Sequence, residues 1–381
     1  MSPDEHATQA LRTRTIALRE VTESDRERWQ QLSHRALEPN PFLDPRYLLT
    51  AHRLLDILDD IRLVVVEDHK NWLAVTPLSE MGRFARTPLL YASTAGSYLG
   101  RGASLCVPLV DGRQAHRAIA ATVSHLASRR SQLPGLIELT LVPADSAVLA
   151  LLRAHCRLAG VPLQERSRFE RAFADAASAV RAPDHLSAAR RKRLRRLRGG
   201  LEREVGELVF TDHGSSMTAL DTLLDLEDAG WKGERGSAKR RKPAELAWFL
   251  DAMQQFGASG DFRLVTLSSA EHTVYASLSL VIAGRAFGTI DAYDERFAAF
   301  SPGVLGRVLE QEQLMSDATI HTLDPCMHPR YVDATALYPD RREIVSVLLA
   351  TRGASRIVLW TRPVARSVGR RARALRERLR R

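Results

Sequence analysis

Three strand-like segments follow one another in the second half of the chain, and this run limits the fold more than any other feature. Residues 262–267, 274–283 and 286–292 are rich in branched and aromatic side chains, and only short polar turns separate them. Such segments at this spacing predict antiparallel strands joined by hairpins. A helix is expected from Gly303 and a further strand at 319–323, so this half predicts a mixed, mostly antiparallel sheet flanked by helices, an α+β (α/β) arrangement.

The chain is long enough for two domains. It has 381 residues, of which 45% are hydrophobic and 26% charged, and a single hydrophobic core rarely grows to this size. A stretch of small residues that includes Pro183 indicates a linker. We therefore expect lobes at 1–178 and 184–361, followed by a basic helix at 362–381.

The first half repeats the same order of elements in a looser form. A hairpin at 62–77 and a strand at 87–92 precede a helix at 113–128, and a strand at 137–142 follows. No residue-level repeat relates the two halves. The duplication is therefore an inference from element order alone.

Composition favours a reducing compartment. No apolar stretch reaches the roughly 20 residues of a membrane-spanning helix, and the N-terminus lacks the apolar core of a signal peptide. Cys106, Cys156 and Cys326 are odd in number and far apart, which disfavours a disulfide framework or a metal site. The sequence therefore predicts a cytoplasmic protein without metal.

The net charge of +10 is unevenly distributed. Arginines concentrate at 190–203 and again from Arg362 to Arg381, where apolar residues recur at helical spacing. A basic amphipathic helix of this kind suits an anionic membrane surface, here the inner face of the membrane, or an RNA backbone, and a solvated terminal helix is the alternative. Nucleic acid is the less favoured partner because both stretches lack stacking aromatic residues.

The start of the helix after Phe300 is the strongest candidate for a phosphate site. A helix start offers unpaired amide N–H groups and a positive dipole end, and a glycine there admits close approach of a ligand. An ordinary helix capped by a serine, with proline in the first turn, explains the same residues. The candidate cofactor-binding residues are Ser301, Gly303, Val304, Leu305 and Gly306.

The glycine-bounded segment at 230–236 carries Trp231 and Lys232, and two interpretations of it stay open. A mobile loop of this composition can close over an acceptor or over the phosphates of a donor. Alternatively, the Trp231 ring fills the gap between the two expected lobes.

Three ordered segments together resemble the GNAT acyltransferase superfamily, in its FemAB-like and cellulose-biosynthesis (CelD-like) branch. They are the arginine-rich start at 185–204, Gly-Trp-Lys-Gly-Glu-Arg-Gly at 230–236, and Phe-Ser-Pro-Gly at 300–303, and Pro-Phe-Leu-Asp-Pro-Arg-Tyr at 41–47 is similar as well. The resemblance implies tandem GNAT-like lobes. It also implies an acetyl-CoA or other acyl-CoA cosubstrate, with its pyrophosphate against the Gly303 helix.

The resemblance further implies transfer of an acyl group, with acetyl favoured, to a hydroxyl or amine. The expected acceptor is a polysaccharide precursor, a lipid-linked sugar or a related small metabolite. Such chemistry needs a proton acceptor near the splayed strands and donors for the developing oxyanion. The candidate catalytic residues are Asp291, Asp294 and His321, and Tyr293 and Tyr331 join Trp231 and Lys232 as candidate substrate-binding residues.

Each catalytic candidate also has an ordinary structural explanation. Asp291 and Asp294 suit turns, and His321 suits a hydrogen-bonded structural position. The segment from Leu323 to Val332 retains an aspartate and a tyrosine but lacks the glycine and lysine usual in the family, so altered donor binding or turnover is expected. Two alternatives therefore stay open, a FemAB-like transferase that uses aminoacyl-tRNA and a non-catalytic protein that docks on an anionic membrane or partner.

Overall fold

The computed structural model describes residues 10–55, 61–85, 87–94, 96, 103–178, 183–357 and 359. The chain divides into two compact units. Unit 1 comprises residues 1–43, 57–168 and 345–381, and unit 2 comprises residues 44–56 and 169–344. The lobes expected from the sequence are two continuous segments, 1–178 and 184–361. In the structure, residues 44–56 group with unit 2 and residues 345–381 group with unit 1. The expected basic helix at 362–381 lies outside the described residues.

The helices begin at recognisable capping residues. Thr22, Ser146, Ser187 and Ser216 each accept a hydrogen bond from a first-turn amide, as N-cap residues do. The helices are α1 (Glu23–Arg35), α2 (Pro45–Leu54), α3 (Ala115–Ala127), α4 (Ala147–Leu158), α5 (Ala188–Val205), α6 (Met217–Ala229), α7 (Trp231–Glu234), α8 (Pro243–Ala258), α9 (Pro302–Ser316) and α10 (Val332–Thr335).

The strands include the three that the sequence predicts most clearly. Those three segments form β9 to β11, and each lies within about two residues of its expected bounds. The strands are β1 (Arg12–Ala17), β2 (Ile61–Glu67), β3 (Trp72–Arg83), β4 (Leu90–Ser93), β5 (Leu109–Val110), β6 (Leu136–Pro143), β7 (Leu163–Asp175), β8 (Val209–Asp212), β9 (Phe262–Ser268), β10 (Thr273–Ile282), β11 (Arg285–Tyr293), β12 (Thr322–Asp324) and β13 (Asp340–Ala350).

Unit 1 contains a mixed sheet in the order β1-β2-β3-β4-β6. The first four strands are antiparallel neighbours, and β6 then pairs in parallel with β4. A parallel pair needs a crossover connection, and α3 lies in it. The buried faces of α3 and α4 pack with the sheet, and the rings of Trp29 and Trp72 stack with centroids 5.7 Å apart.

Unit 2 repeats this order. Strands β8, β9, β10 and β11 are antiparallel neighbours, and β12 pairs in parallel with β11 after the crossover helix α9. The last residues of β7 pair with β12 on its other side. The expected fold class, two lobes that each contain a mixed sheet flanked by helices, is confirmed.

The structure differs from the sequence interpretation in one strand and one short helix. Strand β7 was not expected, because its first half is rich in Arg and Glu and remains largely exposed. The segment at 230–236 is not an open loop, since its first residues form the short helix α7. Gly233 is required there because a Cβ atom would lie 1.8 Å from the carbonyl oxygen of Asp228.

A buried arginine holds α2 in unit 2. The guanidinium of Arg46 binds the carboxylates of Asp44 (Nε to Oδ1, 2.9 Å) and Asp261 (Nη1 to Oδ2, 2.5 Å), and it lies 4.1 Å from the Phe256 ring centroid. Arg46 and Asp44 are almost fully buried, at 2% and 0% exposure. Removal of one partner from such a pair leaves a buried charge without compensation.

We therefore expect Arg46→Ala to lower the free energy of unfolding by about 3–5 kcal/mol, because Asp44 stays buried without its partner. The matched control is Arg53→Ala, also on α2, which removes an exposed ion pair with Asp251 and should cost less than about 1 kcal/mol. Urea unfolding measures both. Equal losses for the two variants would contradict the assignment.

Candidate functional site

A cavity of about 580 Å³ opens in unit 2 where β11 and β12 separate. Their parallel ladder extends only from Arg285↔Thr322 to Phe287↔Asp324, after which β12 ends and β11 continues to Tyr293. The next residue, Gly288, still touches the chain beyond β12, since a Cβ atom there would lie 3.0 Å from Pro325. Beyond this contact, residues 288–293 and 325–328 form opposite walls of a wedge.

A β-bulge shapes the β11 wall. Leu278 pairs with Ile290 and Ser279 pairs with Gly288, so Thr289 has no opposing residue in the ladder with β10. A bulge leaves the extra residue outside the regular ladder and often occurs beside an active site. Thr289 lines the cavity, and its backbone is therefore a candidate donor to a bound carbonyl oxygen.

A buried carboxylate lies in the cavity lining. Glu310 on α9 is 6% exposed and accepts hydrogen bonds from the hydroxyls of Tyr275 (2.9 Å), Ser277 (2.8 Å) and Ser279 (3.1 Å). Burial raises the pKa of Glu310 above its ordinary value, and nearby Asp291 raises it further, although the three hydroxyls oppose this change. A carboxylate with a raised pKa is a stronger proton acceptor when ionised.

An ion pair and a tyrosine complete this part of the lining. Arg307 binds Asp291 (Nη2 to Oδ2, 2.5 Å), and about a third of the Asp291 side chain is exposed. Burial raises the pKa of Tyr338, and Glu310 raises it further, so its hydroxyl stays protonated at neutral pH. The cavity thus contains a paired carboxylate, a proton acceptor and a hydroxyl donor.

Helix α7 forms another part of the wall. Lys232 Nζ binds Glu227 Oε1 at 3.0 Å and the carbonyl oxygen of Asp291 at 3.3 Å. The amide of Trp231 donates to Glu295 Oε1 at 2.7 Å, and the indole is 38% exposed. Hydrogen bonds from Lys232 and Trp231 hold α7 in place, as a structural role requires. Trp231 is nevertheless partly exposed, so a role in ligand binding also has a physical basis.

The segment from Leu323 to Val332 contains neither glycine nor lysine, and its aspartate has a structural role. Asp324 is 1% exposed and binds Arg171 at 2.5 Å, while its other oxygen accepts from the amide of Cys326. Tyr331 is 46% exposed, lines the cavity, and has the Arg330 guanidinium 4.8 Å from its ring centroid. This segment shapes the site through Tyr331 rather than through Asp324.

The structure brings some of the predicted site residues together and not others. Asp294 binds Arg296 and caps the following 3-10 helix, and His321 is exposed beside Gly284. The following predicted residues line the cavity: Asp291, Trp231, Lys232, Tyr293 and Tyr331. The following do not: Asp294, His321, Ser301, Gly303, Val304, Leu305 and Gly306.

The start of α9 has fewer available amides than an ordinary helix start. Pro302 has no N–H group, and the amides of Val304 and Leu305 both donate to the Ser301 carbonyl. The Gly303 amide has no hydrogen-bond partner among the described residues. A Cβ atom at Gly303 would lie 3.0 Å from the Tyr293 ring, so this glycine accommodates a cavity-lining tyrosine.

Comparison with known proteins identifies the domain that supplies most of the cavity lining. Residues 188–324 match the family model described as an acetyltransferase (GNAT) domain. This part of the chain is a GNAT domain. The match begins with α5 and ends with β12, so it includes Glu310 and both strands of the wedge.

Solved structures resemble a larger part of the chain. FemX aligns with a TM-score of 0.55 at 11% identity, over 85% of this chain and 95% of FemX. The C-terminal domain (DUF2156) of a putative lysylphosphatidylglycerol synthetase from Agrobacterium fabrum gives 0.48 at 13% identity, over 88% and 95%. A tandem GNAT protein from the clavulanic acid biosynthesis pathway gives 0.39 at 12% identity, over 90% and 99%. The FemX likeness shows a shared fold alone, and no curated protein matches the chain.

The cavity contains functional candidates that the sequence interpretation missed, namely Glu310, Arg307 and Tyr338. One available signal was Ser277 and Ser279, two residues apart in an otherwise apolar strand, which indicates a polar partner on one face of β10. No described helix is both long and apolar enough to cross a membrane. Within the described part of the chain, no group of three or more His, Cys, Asp or Glu is arranged to hold a metal.

Close packing between α9 and β10 keeps Glu310 in place. A Cβ atom at Gly306 would lie 2.1 Å from the Tyr275 ring, so Gly306→Ala must displace the ring whose hydroxyl binds Glu310. We expect a loss of about 1–3 kcal/mol in unfolding free energy, measured by urea unfolding. Gly199→Ala on α5 is the control, because its nearest neighbour is 4.0 Å away and alanine favours helix. If Gly306→Ala has the same unfolding free energy as the wild type, the close contact is disproved.

The raised pKa of Glu310 predicts a pH-dependent stability. The folded state holds this proton more tightly than the unfolded state, whose value is near 4.5. The resulting stabilisation is complete below that pH and is lost as pH rises through the raised pKa. Gln at position 310 cannot ionise, so the stability of Glu310→Gln relative to the wild type, measured by urea unfolding, should increase as the pH rises above about 4.5. Glu312→Gln, at an exposed position of α9, should show no such trend.

Proposed function

We propose that the GNAT domain transfers an acyl group, most simply acetyl, from an acyl-CoA to a hydroxyl or amine bound in the cavity between β11 and residues 325–328. The observation that carries this proposal is Glu310, a buried carboxylate with a raised pKa in the lining of a wedge between diverging parallel strands. Such a wedge admits an extended ligand beside a proton acceptor.

The acyl donor is proposed to enter along the exposed part of β11. The thioester carbonyl would lie near Thr289, outside the regular ladder with β10, and the diphosphate would lie toward the start of α9. The Gly303 amide and the positive end of the α9 dipole support that orientation. Tyr293 contacts Gly303 and lines the cavity, so the two ends of this path are adjacent.

Glu310 is the proposed general base. The acceptor nucleophile attacks the thioester carbon, and its proton passes to Glu310 directly or through the hydroxyl of Ser277 or Ser279. The C–S bond then breaks and the CoA thiolate leaves, which restores the carbonyl. Asp291 is the weaker choice for this role, because its carboxylate is neutralised by Arg307.

Tyr338 is the proposed donor to the tetrahedral oxyanion. Tyr338 lines the cavity, and its hydroxyl stays protonated at neutral pH and has no hydrogen-bond partner among the described residues. A donor held in a largely buried site stabilises negative charge that develops in the transition state. The Thr289 amide is the second proposed donor.

The acceptor class rests on the family resemblance. A polysaccharide precursor, a lipid-linked sugar or a related metabolite supplies the required hydroxyl or amine. The accessible rings of Trp231 and Tyr331 in the lining suit an acceptor with flat or apolar faces.

Glu310→Gln tests the chemistry. We expect the dissociation constant for acetyl-CoA to stay within about twofold, because Glu310 acts on the acceptor proton. The rate of thiol release with an amine and hydroxyl acceptor panel should fall by about 10²–10⁴-fold, the usual contribution of a general base. Calorimetry measures binding, and a thiol-specific dye measures turnover.

Glu312→Gln is the matched control, since it removes an exposed carboxylate from the same helix and should leave both quantities unchanged. If the wild type does not bind acetyl-CoA, the donor assignment is wrong. If it binds and turns over but Glu310→Gln is as fast, Glu310 is not the base and the donor assignment stands.

A second candidate retains acyl transfer but takes the acyl group from aminoacyl-tRNA, as the FemAB-like resemblance implies. The observation that favours it is a cationic stripe on α5, formed by Lys192, Arg195, Arg196 and Arg203. These side chains are exposed and have no carboxylate partner among the described residues, while Leu201 on another face is buried. Binding of tRNA with a steep salt dependence, together with no affinity for acetyl-CoA, would favour this candidate.

A further inference from the structure

Cys326 lines the acyl-transfer cavity, and no step of the proposed transfer uses its thiol. The chain has three cysteines, all within the described part, and none forms a disulfide. Cys106 and Cys156 are buried in unit 1, at 0% and 1% exposure, whereas Cys326 is half-buried. Cys326 is therefore the cysteine that a ligand of the cavity can reach, and the other two serve as internal controls.

Cys326 occupies the narrow end of the wedge between β11 and the chain after β12. Pro325 touches β11 at Gly288, where a Cβ atom would lie 3.0 Å from the Pro325 Cα atom. Cys326 follows Pro325 on one wall, and Thr289 follows Gly288 on the other. The proposed path of the donor has its thioester near Thr289. The sulfur of a bound CoA group therefore comes close to Cys326.

The backbone of Cys326 has a defined and unusual conformation. Its φ of 54° lies in the left-handed region, which glycine enters without steric cost and other residues rarely adopt. The Cys326 amide donates to Asp324 Oδ1 at 2.9 Å, and Asp324 Oδ2 binds the buried Arg171. These contacts fix the residue at the narrow end of the wedge.

Tyr338 independently marks the same region as a ligand site. It packs in one hydrophobic cluster with Leu323 and Met327, which lie on either side of Cys326 in the sequence. Tyr338 lines the cavity and is 4% exposed, yet its hydroxyl has no hydrogen-bond partner among the described residues. A buried polar group without a partner is costly, so a ligand that supplies one gains affinity. The hydroxyl thus indicates a polar ligand in this part of the cavity.

We propose that Cys326 is a modification site, which forms a mixed disulfide with CoA and thereby blocks the acyl donor. This inference rests on the proposed function, because affinity of the cavity for the CoA group is what brings the two sulfur atoms together. A bound reactant has a high effective concentration, so the cavity favours CoA disulfide over other disulfides. The adduct occupies the path of acyl-CoA and excludes it.

Thiol–disulfide exchange supplies the new bond without a further reagent. The Cys326 thiol loses its proton to water, and the thiolate attacks one sulfur of CoA disulfide. A bond forms between Cys326 and that sulfur while the original S–S bond breaks. The second CoA leaves as a thiolate and takes up a proton from water, so Cys326 is oxidised and this CoA is reduced. A dithiol such as dithiothreitol reverses the exchange and restores the Cys326 thiol.

Mass spectrometry of the full-length protein after incubation with CoA disulfide tests the assignment. We expect one CoA adduct, which peptide mapping locates on Cys326 and dithiothreitol removes. Cys106 and Cys156 should remain thiols because they are buried, and Cys326→Ser should acquire no adduct. An unmodified Cys326, or an adduct mainly on another cysteine, would overturn the proposal.

Reaction rates with two disulfides show whether the cavity directs the modification. The rate for CoA disulfide divided by that for glutathione disulfide should be at least about tenfold higher in the folded protein than in the urea-unfolded protein, because binding raises the effective concentration. Saturating acetyl-CoA should slow the reaction of the folded protein with CoA disulfide by competition. Equal ratios in the two states, or no protection by acetyl-CoA, would mean that Cys326 is an ordinary accessible thiol.

Calorimetry separates this inference from the proposed activity. The CoA adduct should abolish acetyl-CoA binding, dithiothreitol should restore it, and the same treatment should leave the affinity of Cys326→Ser at its untreated value. Unchanged acetyl-CoA affinity of the wild-type adduct would disprove the block. Absence of binding to the untreated wild type refutes the proposed donor and with it the selectivity for CoA. Normal binding and turnover with an unmodified Cys326 refute the modification site alone.

Discussion

The early end of the β11–β12 ladder is the constraint on which the candidate site depends. A parallel pair that continued beyond Phe287 and Asp324 would fill the wedge with backbone hydrogen bonds and leave no cavity. Two local features accompany this separation. β12 ends immediately before Pro325, which lacks an amide donor, and the bulge at Thr289 interrupts the regular ladder of β11. Each would weaken a sheet elsewhere, and here they occur together beside the cavity.

Glu310 shows how this cavity retains a polar group that burial disfavours. Removal of a carboxylate from water is costly unless hydrogen bonds replace hydration, and three hydroxyls from β10 do so. They compensate incompletely, because the pKa of Glu310 remains raised. Incomplete compensation suits a proton acceptor, since full stabilisation of the carboxylate would make it a weaker base. The same three hydroxyls fix the orientation of the side chain.

The sequence predicted those features that depend on neighbouring residues. The β9–β11 meander, the helix after Phe300 and the fold class follow from local periodicity and turn chemistry, and the structure agrees. The Glu310 cluster could not be found in this way, because its members come from β10 and α9, and Tyr275 is 35 positions away from Glu310. The sequence placed Asp291 at a strand end, and it lies two residues before the end of β11. Its pairing with Arg307 depends on the angle between α9 and β11, which no local pattern specifies.

The start of α9 limits how many backbone amides can bind a diphosphate in unit 2. Ser301 adopts a left-handed conformation, and its carbonyl accepts two amides, so the helix satisfies internally the donors that a diphosphate would need. One amide, at Gly303, remains. A ligand held by one amide and a dipole needs further positive charge, and in the cavity this comes from Arg307 and Lys232, both already bound to carboxylates.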